Sequence, residues 1–95
     1  HQAALSLSQV SGIERPMRIK HILDDGVERF RRQNVDLNET SRILAILSGS
    51  RSFTRSEVQA LMEGIQEICG QETEVLLGTS RTPVDPETFY LTLVV

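Results

Sequence analysis

Within Ala3 to Val10, Leu5 and Leu7 alternate with Ser6 and Ser8. A period of two sends successive side chains to opposite sides of an extended backbone. The segment therefore predicts a strand with one buried and one wetter face, placed toward a sheet edge and ended by Gly12. The spacing then changes to three and four: Ile19, Ile22, Leu23, Val27 and Phe30 fall on one stripe of a helix running to about Arg32. Pro16 stands where a first helical position tolerates it, because the N–H it lacks would have no partner there. Gly26 interrupts the stripe. A helical glycine costs about 1 kcal/mol relative to alanine, and the expected compensation is close approach of the helix to a sheet.

Asn34 to Ser41 is polar and turn-rich, and Ile43 to Leu47 is an unbroken apolar run closed by Ser48, Gly49 and Ser50. Such a run predicts a central strand covered on both faces. Thr54 and Glu57 have the spacing of a capping box, with Phe53 and Val58 placed as its hydrophobic staple. Val58, Leu61, Met62, Ile65, Ile68 and Cys69 continue the stripe of this second helix, and Gly70 supplies the left-handed residue that commonly ends one. Glu74 to Leu77 and Thr88 to Val95 predict two more strands, separated by a linker in which Pro83, Asp85 and Pro86 forbid regular structure.

The pattern predicts a single α/β (α+β) domain in the order β-α-β-α-β-β, a four-stranded mixed sheet with two helices packed on it. The first two crossovers are long enough to return the chain in parallel, while the last two strands pair antiparallel or sit apart. Each helix has one apolar stripe, so both are expected on the same face. The other face becomes a candidate interface.

Composition adds exclusions. At 95 residues, with 39% hydrophobic and 24% charged residues, the chain has room for one modest core and is not of disordered composition. A net charge of −3 offers no overall positive field for a phosphate backbone, so nucleic acid is not expected as a partner. Arg15, Arg18, Lys20, Arg29, Arg31 and Arg32 are interleaved with Glu14, Asp24, Asp25 and Glu28, which reads as a solvated helix face. No apolar run reaches the roughly 18 residues of a membrane span, and no signal peptide is evident, so no direct membrane insertion and a cytoplasmic location are expected. A chain that starts at His1 is expected to be a piece of a longer protein.

Candidate chemistry is sparse. Cys69 is the only cysteine, which excludes an internal disulfide, and its place on the apolar stripe predicts an inert buried thiol. His1 and His21 do not assemble a metal site. Asp24 and Asp25 point about 100 degrees apart on a helix, poor geometry for cooperating carboxylates. The strand-to-helix junctions, Gly12-Ile13-Glu14-Arg15 and Ser48-Gly49-Ser50-Arg51, match neither a P-loop nor a dinucleotide fingerprint. Arg51 and Arg55 beside the second junction could hold an anion weakly, but a plain turn is the expectation. No catalytic, cofactor-binding or metal-binding residue is therefore assigned.

Several strings nevertheless resemble the C-terminal domain of FtsZ, the bacterial and archaeal relative of tubulin. Ala4-Leu5-Ser6-Leu7-Ser8 with Ser11-Gly12 and Arg15 resembles a family strand that runs through glycine into a helix. Ile43-Leu44-Ala45-Ile46-Leu47-Ser48-Gly49, followed by Phe53-Thr54-Arg55-Ser56-Glu57-Val58, resembles the family's apolar strand, glycine turn and capped helix. Glu74-Val75-Leu76-Leu77-Gly78 and Phe89 to Val95 resemble the last two strands. Two features depart from the family: Gly49-Ser50 stands where paired glycines are usual, and the final strand lacks the Thr-Gly that usually follows.

The resemblance covers residues 1–95 and implies the C-terminal domain of a filament-forming GTPase, with cell division among its possible settings. Its nucleotide pocket and hydrolysis-triggering acidic loop would lie upstream of His1. GTP is then expected for the parent protein and no cofactor for this fragment, which would not itself be an enzyme. The implied partners are its own N-terminal GTPase domain and neighbouring identical subunits, which the domain would contact longitudinally. Two rival readings follow from the residues alone: a stand-alone regulatory or ligand-binding α/β module acting as a homo-oligomer, and a compact enzyme built at an oligomer interface.

Overall fold

Six main elements follow one another in the predicted order: β1 (Leu5–Ser11), α1 (Arg15–Arg32), β2 (Arg42–Gly49), α2 (Arg55–Cys69), β3 (Glu74–Arg81) and β4 (Thr88–Val94). A single 3-10 turn, Leu37–Glu39, interrupts the polar connection between α1 and β2. The computed structural model describes residues 4–11 and 15–95, with backbone alone at 15 and 16. Ala3, His1 and the strand end expected at Gly12 lie outside the described residues, as do Ile13 and Glu14. Because α1 begins at Arg15, Pro16 falls in its first turn, as expected from the dispensable N–H.

The four strands form one mixed sheet in the order β1-β4-β2-β3. β2 and β3 are parallel, whereas β4 runs antiparallel to both β1 and β2. The last two strands thus sit apart, with β2 between them, and β1 takes the predicted edge. β3 continues past Gly78 to Arg81, beyond the expected end at Leu77.

Both helices lie on one face. Ile19, Ile22, Leu23 and Phe30 of α1 and Leu61, Ile65 and Cys69 of α2 close over Ile43, Ala45 and Leu47 of β2 and Phe89, Leu91 and Leu93 of β4. This arrangement corrects the expectation that β2 is covered on both faces. It is central in the sheet, yet Leu44, on the side away from the helices, is 37% exposed. Its unbroken apolar run combines a core face with an apolar face that no other described residue covers.

On β1 the buried side chains are the serines. Ser6 and Ser8 are nearly inaccessible, while Leu5 and Leu7 are 50% and 57% exposed. The cause is the approach of α1. The Ser6 hydroxyl donates to the Gly26 carbonyl at 2.9 Å and the Ser8 hydroxyl to the Ile22 carbonyl at 3.3 Å. A Cβ on Gly26 would stand 3.0 Å from Leu93 Cδ1 and 3.5 Å from each serine oxygen, so the close approach expected of this glycine is present. Only small side chains fit beneath the helix, and those with a hydroxyl satisfy their own buried oxygen.

The capping box of α2 is complete: the Thr54 oxygen accepts from the Glu57 N–H at 3.1 Å, and the Thr54 N–H donates to the Glu57 carboxylate at 3.0 Å. Gly70 ends α2 with φ 105°, the positive value anticipated. Its ψ of 158° makes it extended, so the chain leaves toward β3 without a left-handed turn.

Candidate functional site

The strand registers assemble the uncovered face row by row. Leu5 pairs with Val94, Val94 with Leu44, and Leu44 with Leu76, so one line across all four strands is entirely apolar. The next line holds Leu7, Thr92, Ile46 and Gly78, and the third is polar, with Gln9, Tyr90, Ser48 and Ser80. Ser48 and Ser80 share a hydrogen bond of 2.8 Å between their hydroxyls. Arg42 and Glu74, paired at 2.8 Å, close the apolar end.

Leu5, Leu7, Leu44 and Leu76 are all on this face, and Met17 is the only other large hydrophobic that is exposed among the described residues. Isolated exposed leucines are ordinary; a contiguous row of them, rimmed by polar residues, marks a surface that packs against something. Toward the polar rows is a hollow of about 450 Å³ whose lining includes Leu7, Gln9, Ser48, Tyr90 and Thr92 together with Arg29 of α1. The arrangement offers area and shape for docking. It contains no acid, base or nucleophile positioned for chemistry.

The residues weighed for chemistry are scattered by the fold. Lys20 pairs with Asp24 and Arg29 with Asp25, each at 3.0 Å along the exposed face of α1, so the adjacent aspartates serve separate cations. Arg31 and Arg32 converge on Glu28. The hydrogen bond from Arg31, with the charges of both arginines, holds the Glu28 carboxyl below its ordinary value. His21 is exposed. Cys69 is buried and free, and burial pushes its thiol above the usual range. Among the described residues no three His, Cys, Asp or Glu side chains group as a metal site, and no helix is long and apolar enough to cross a membrane.

Arg18 departs from the solvated face on which the sequence placed it. It is buried, with Nε 2.6 Å from Glu57 Oε2 and its guanidinium 5.4 and 4.8 Å from the ring centres of Phe53 and Phe89. Those rings meet edge to face at 6.0 Å. Glu57 therefore serves twice, capping α2 and neutralising a cation of α1. The helical spacing shows that Arg18 is one residue from the stripe position Ile19, but the partner that draws it inward is 39 residues away.

The sequence did anticipate that one face of the sheet would be free. It did not identify the row on that face, because the row joins four strands whose order could not be read from local pattern. Leu44, Leu76 and Val94 were each inside a predicted strand; their common line appears only once β4 is seen between β1 and β2.

No protein-family model matches the chain, and no curated protein matches it by sequence. Solved structures do match in fold. An empty FtsZ dimer from M. jannaschii aligns with TM-score 0.80 and 14% identity over 97% of this chain and 26% of that one. The W319Y mutant of FtsZ from M. jannaschii aligns with TM-score 0.74 and 14% identity over 98% and 27%. CetZ from Methanosaeta thermophila strain DSM 6194 aligns with TM-score 0.62 and 19% identity over 94% and 26%. The expected likeness to FtsZ thus holds at the level of fold, and this chain spans about a quarter of the length of the proteins it matches.

Proposed function

We propose that this chain is the C-terminal assembly domain of an FtsZ-like or CetZ-like, GTP-dependent filament protein of the cytoplasm. The observation that carries the reading is the uncovered apolar row Leu5, Val94, Leu44 and Leu76, on a domain whose fold occupies a quarter of far longer relatives. In this reading the bare face packs on the parent's GTP-binding part, and the domain's remaining surface contributes to contact between subunits.

The residues present do not fit a guanine nucleotide. The N-terminus of α2, the described helix start that could cradle a phosphate, is already closed by the Thr54 oxygen and the Glu57 carboxylate of its own capping box. No step of nucleotide chemistry is therefore assigned to this chain. Its part is positional: by fixing one subunit against the next, it would bring reacting groups held elsewhere in the parent into register, so that turnover follows assembly.

The reading is tested on the full-length parent. GTP turnover per subunit should rise with protein concentration as filaments form. Turnover independent of concentration, or an absence of GTP binding, would remove the reading and favour a stand-alone module.

A further inference from the structure

β3 stands at the edge of the sheet, and its edge is open. It pairs with β2 residue for residue from Glu74 to Arg81 without a bulge, and it contains neither the proline nor the lysine that commonly blunts an edge. The ladder to β2 fixes which backbone groups point outward. The Glu74 N–H donates to the Ser41 carbonyl and the Thr82 N–H to the Gly49 carbonyl, both at 2.9 Å, so the even-numbered residues bond to β2. The N–H and C=O groups of Val75, Leu77, Thr79 and Arg81 therefore line the free edge, because alternate residues of a strand address opposite neighbours.

The other edge is more fully closed. On β1, α1 covers Ser6 and Ser8, and Gln33 donates to the Leu5 carbonyl at 3.0 Å. On β3 no residue is fully buried: Val75 and Leu77, on the helix side, are half-buried, and Leu76 on the bare face is 48% exposed. The flank of α2 above this edge is apolar as well. A Cβ on Gly64 would stand 2.6 Å from Leu23 Cδ2, which places that side of α2 against α1. Val58 and Met62, both half-buried, lie on the opposite side of the helix.

Charge is polarised along the same edge. Glu72 and Glu74 stand at its start, and the Thr73 hydroxyl donates to the Thr40 carbonyl at 2.9 Å, which brings Asp36 and Glu39 of the 3-10 turn to that end. Of these carboxylates, Glu74 is paired with Arg42. At the far end are Arg81, which donates to the Ser52 hydroxyl, and Arg51 and Arg55 at the turn into α2. Parallel pairing of β3 with a copy of itself would set like charges together. Antiparallel pairing sets opposite charges together.

We propose that two copies of this chain join β3 to β3 about a two-fold axis normal to the sheet and centred on Leu77, merging their sheets into one. In this register Val75 exchanges both backbone hydrogen bonds with Thr79 of the second copy, and Leu77 with its own counterpart. On the bare face Leu76 falls opposite Gly78 of the second copy, where an added Cβ would meet nothing within 4 Å, so the leucine has room. On the helix side Val58 and Met62 close over the paired Val75 and Leu77. Arg81 falls opposite Thr73 and between Glu72 and Glu74. An unrelated extended peptide would find the same backbone groups without the matched ends.

Such a contact is isologous and closes at two copies, unlike one that repeats along a row. It uses the edge and leaves the bare face free, so it goes beyond the assembly reading and does not rest on it.

The 95-residue chain provides the test. Sedimentation velocity should show a dimer and no larger species as concentration rises to about 1 mM. Amide hydrogen exchange followed by NMR reads the edge itself: the Val75, Leu77 and Thr79 N–H groups should exchange roughly tenfold more slowly in the dimer than in the dilute monomer. Thr79→Pro removes an outward donor without touching the ladder to β2 and should abolish the dimer. If that variant fails to melt cooperatively, Arg81→Glu takes its place. It should weaken association roughly tenfold, and adding Glu72→Arg to the same chain should restore it.

A chain that stays monomeric at the highest concentration, a folded Thr79→Pro chain that still dimerises, or a dimer whose three edge amides exchange as fast as in the monomer would each overturn the proposal. In the charge series, unchanged association of Arg81→Glu or no recovery on adding Glu72→Arg counts against it equally. A dimer abolished by Leu44→Lys would place the contact on the bare face, which also overturns it. GTP turnover of the parent that ignores concentration would end the filament reading while leaving this contact standing.

Discussion

Ser6 reaches the Gly26 carbonyl from directly beneath α1, a 2.9 Å hydrogen bond between residues twenty positions apart. It fixes which face of β1 is inside. The helix approaches so closely that a leucine at residue 6 would be driven into it, while the leucines of the same strand are free to form the outer face.

Ser6→Leu should therefore destabilise the chain by about 1–3 kcal/mol through overpacking, despite the gain in hydrophobicity. Leu5→Ser, at a half-exposed site, should cost less than about 1 kcal/mol. Urea unfolding of the two variants checks this, and a reversed ranking would show that the leucine face is the buried one.

Arg18 and Glu57 form a second long-range tie, buried and supported by two aromatic rings. Removing the Glu57 carboxylate strands the buried Arg18 guanidinium, so Glu57→Ala should cost about 3–5 kcal/mol. Arg18→Met combined with Glu57→Gln, which retains a capping side chain, should recover most of that loss. Additive losses in the double variant would indicate that the two side chains act independently.

The buried Cys69 thiol ties stability to pH. Burial disfavours the thiolate and raises the folded-state pKa, so the contribution is complete below the unfolded thiol's value near ~8.5. It is lost as pH rises above that value and through the raised folded one. Stability should thus fall more steeply between about pH 8 and 10 in the wild type than in Cys69→Ala, whatever the variant's starting stability. Chemical denaturation at several pH values would test it, and parallel curves would contradict it.

Much of this fold is legible locally, for reasons specific to its elements. The Thr54–Glu57 spacing makes a capping box by short-range hydrogen bonding alone, and the α1 stripe and Gly26 announce a helix pressed on a sheet. What local pattern could not supply were long-range choices. The alternation in β1 says that two faces differ, but the choice between them depends on how near α1 comes. The apolar run of β2 says that both its sides are apolar, but whether each is covered depends on where the helices go. The candidate site suffered most, since its row exists only when β4 inserts between β1 and β2.

The central claim is that this row, apolar and bare here, is covered in the parent protein. Leu44→Lys with Leu76→Lys provides the most direct measurement, because both positions face away from the core. In the isolated chain the pair should leave a cooperative unfolding transition within about 1 kcal/mol of the wild type. In the full-length parent the same pair should abolish GTP-dependent assembly as read by light scattering. Normal assembly by the substituted parent, or unfolding of the isolated domain, would contradict the account.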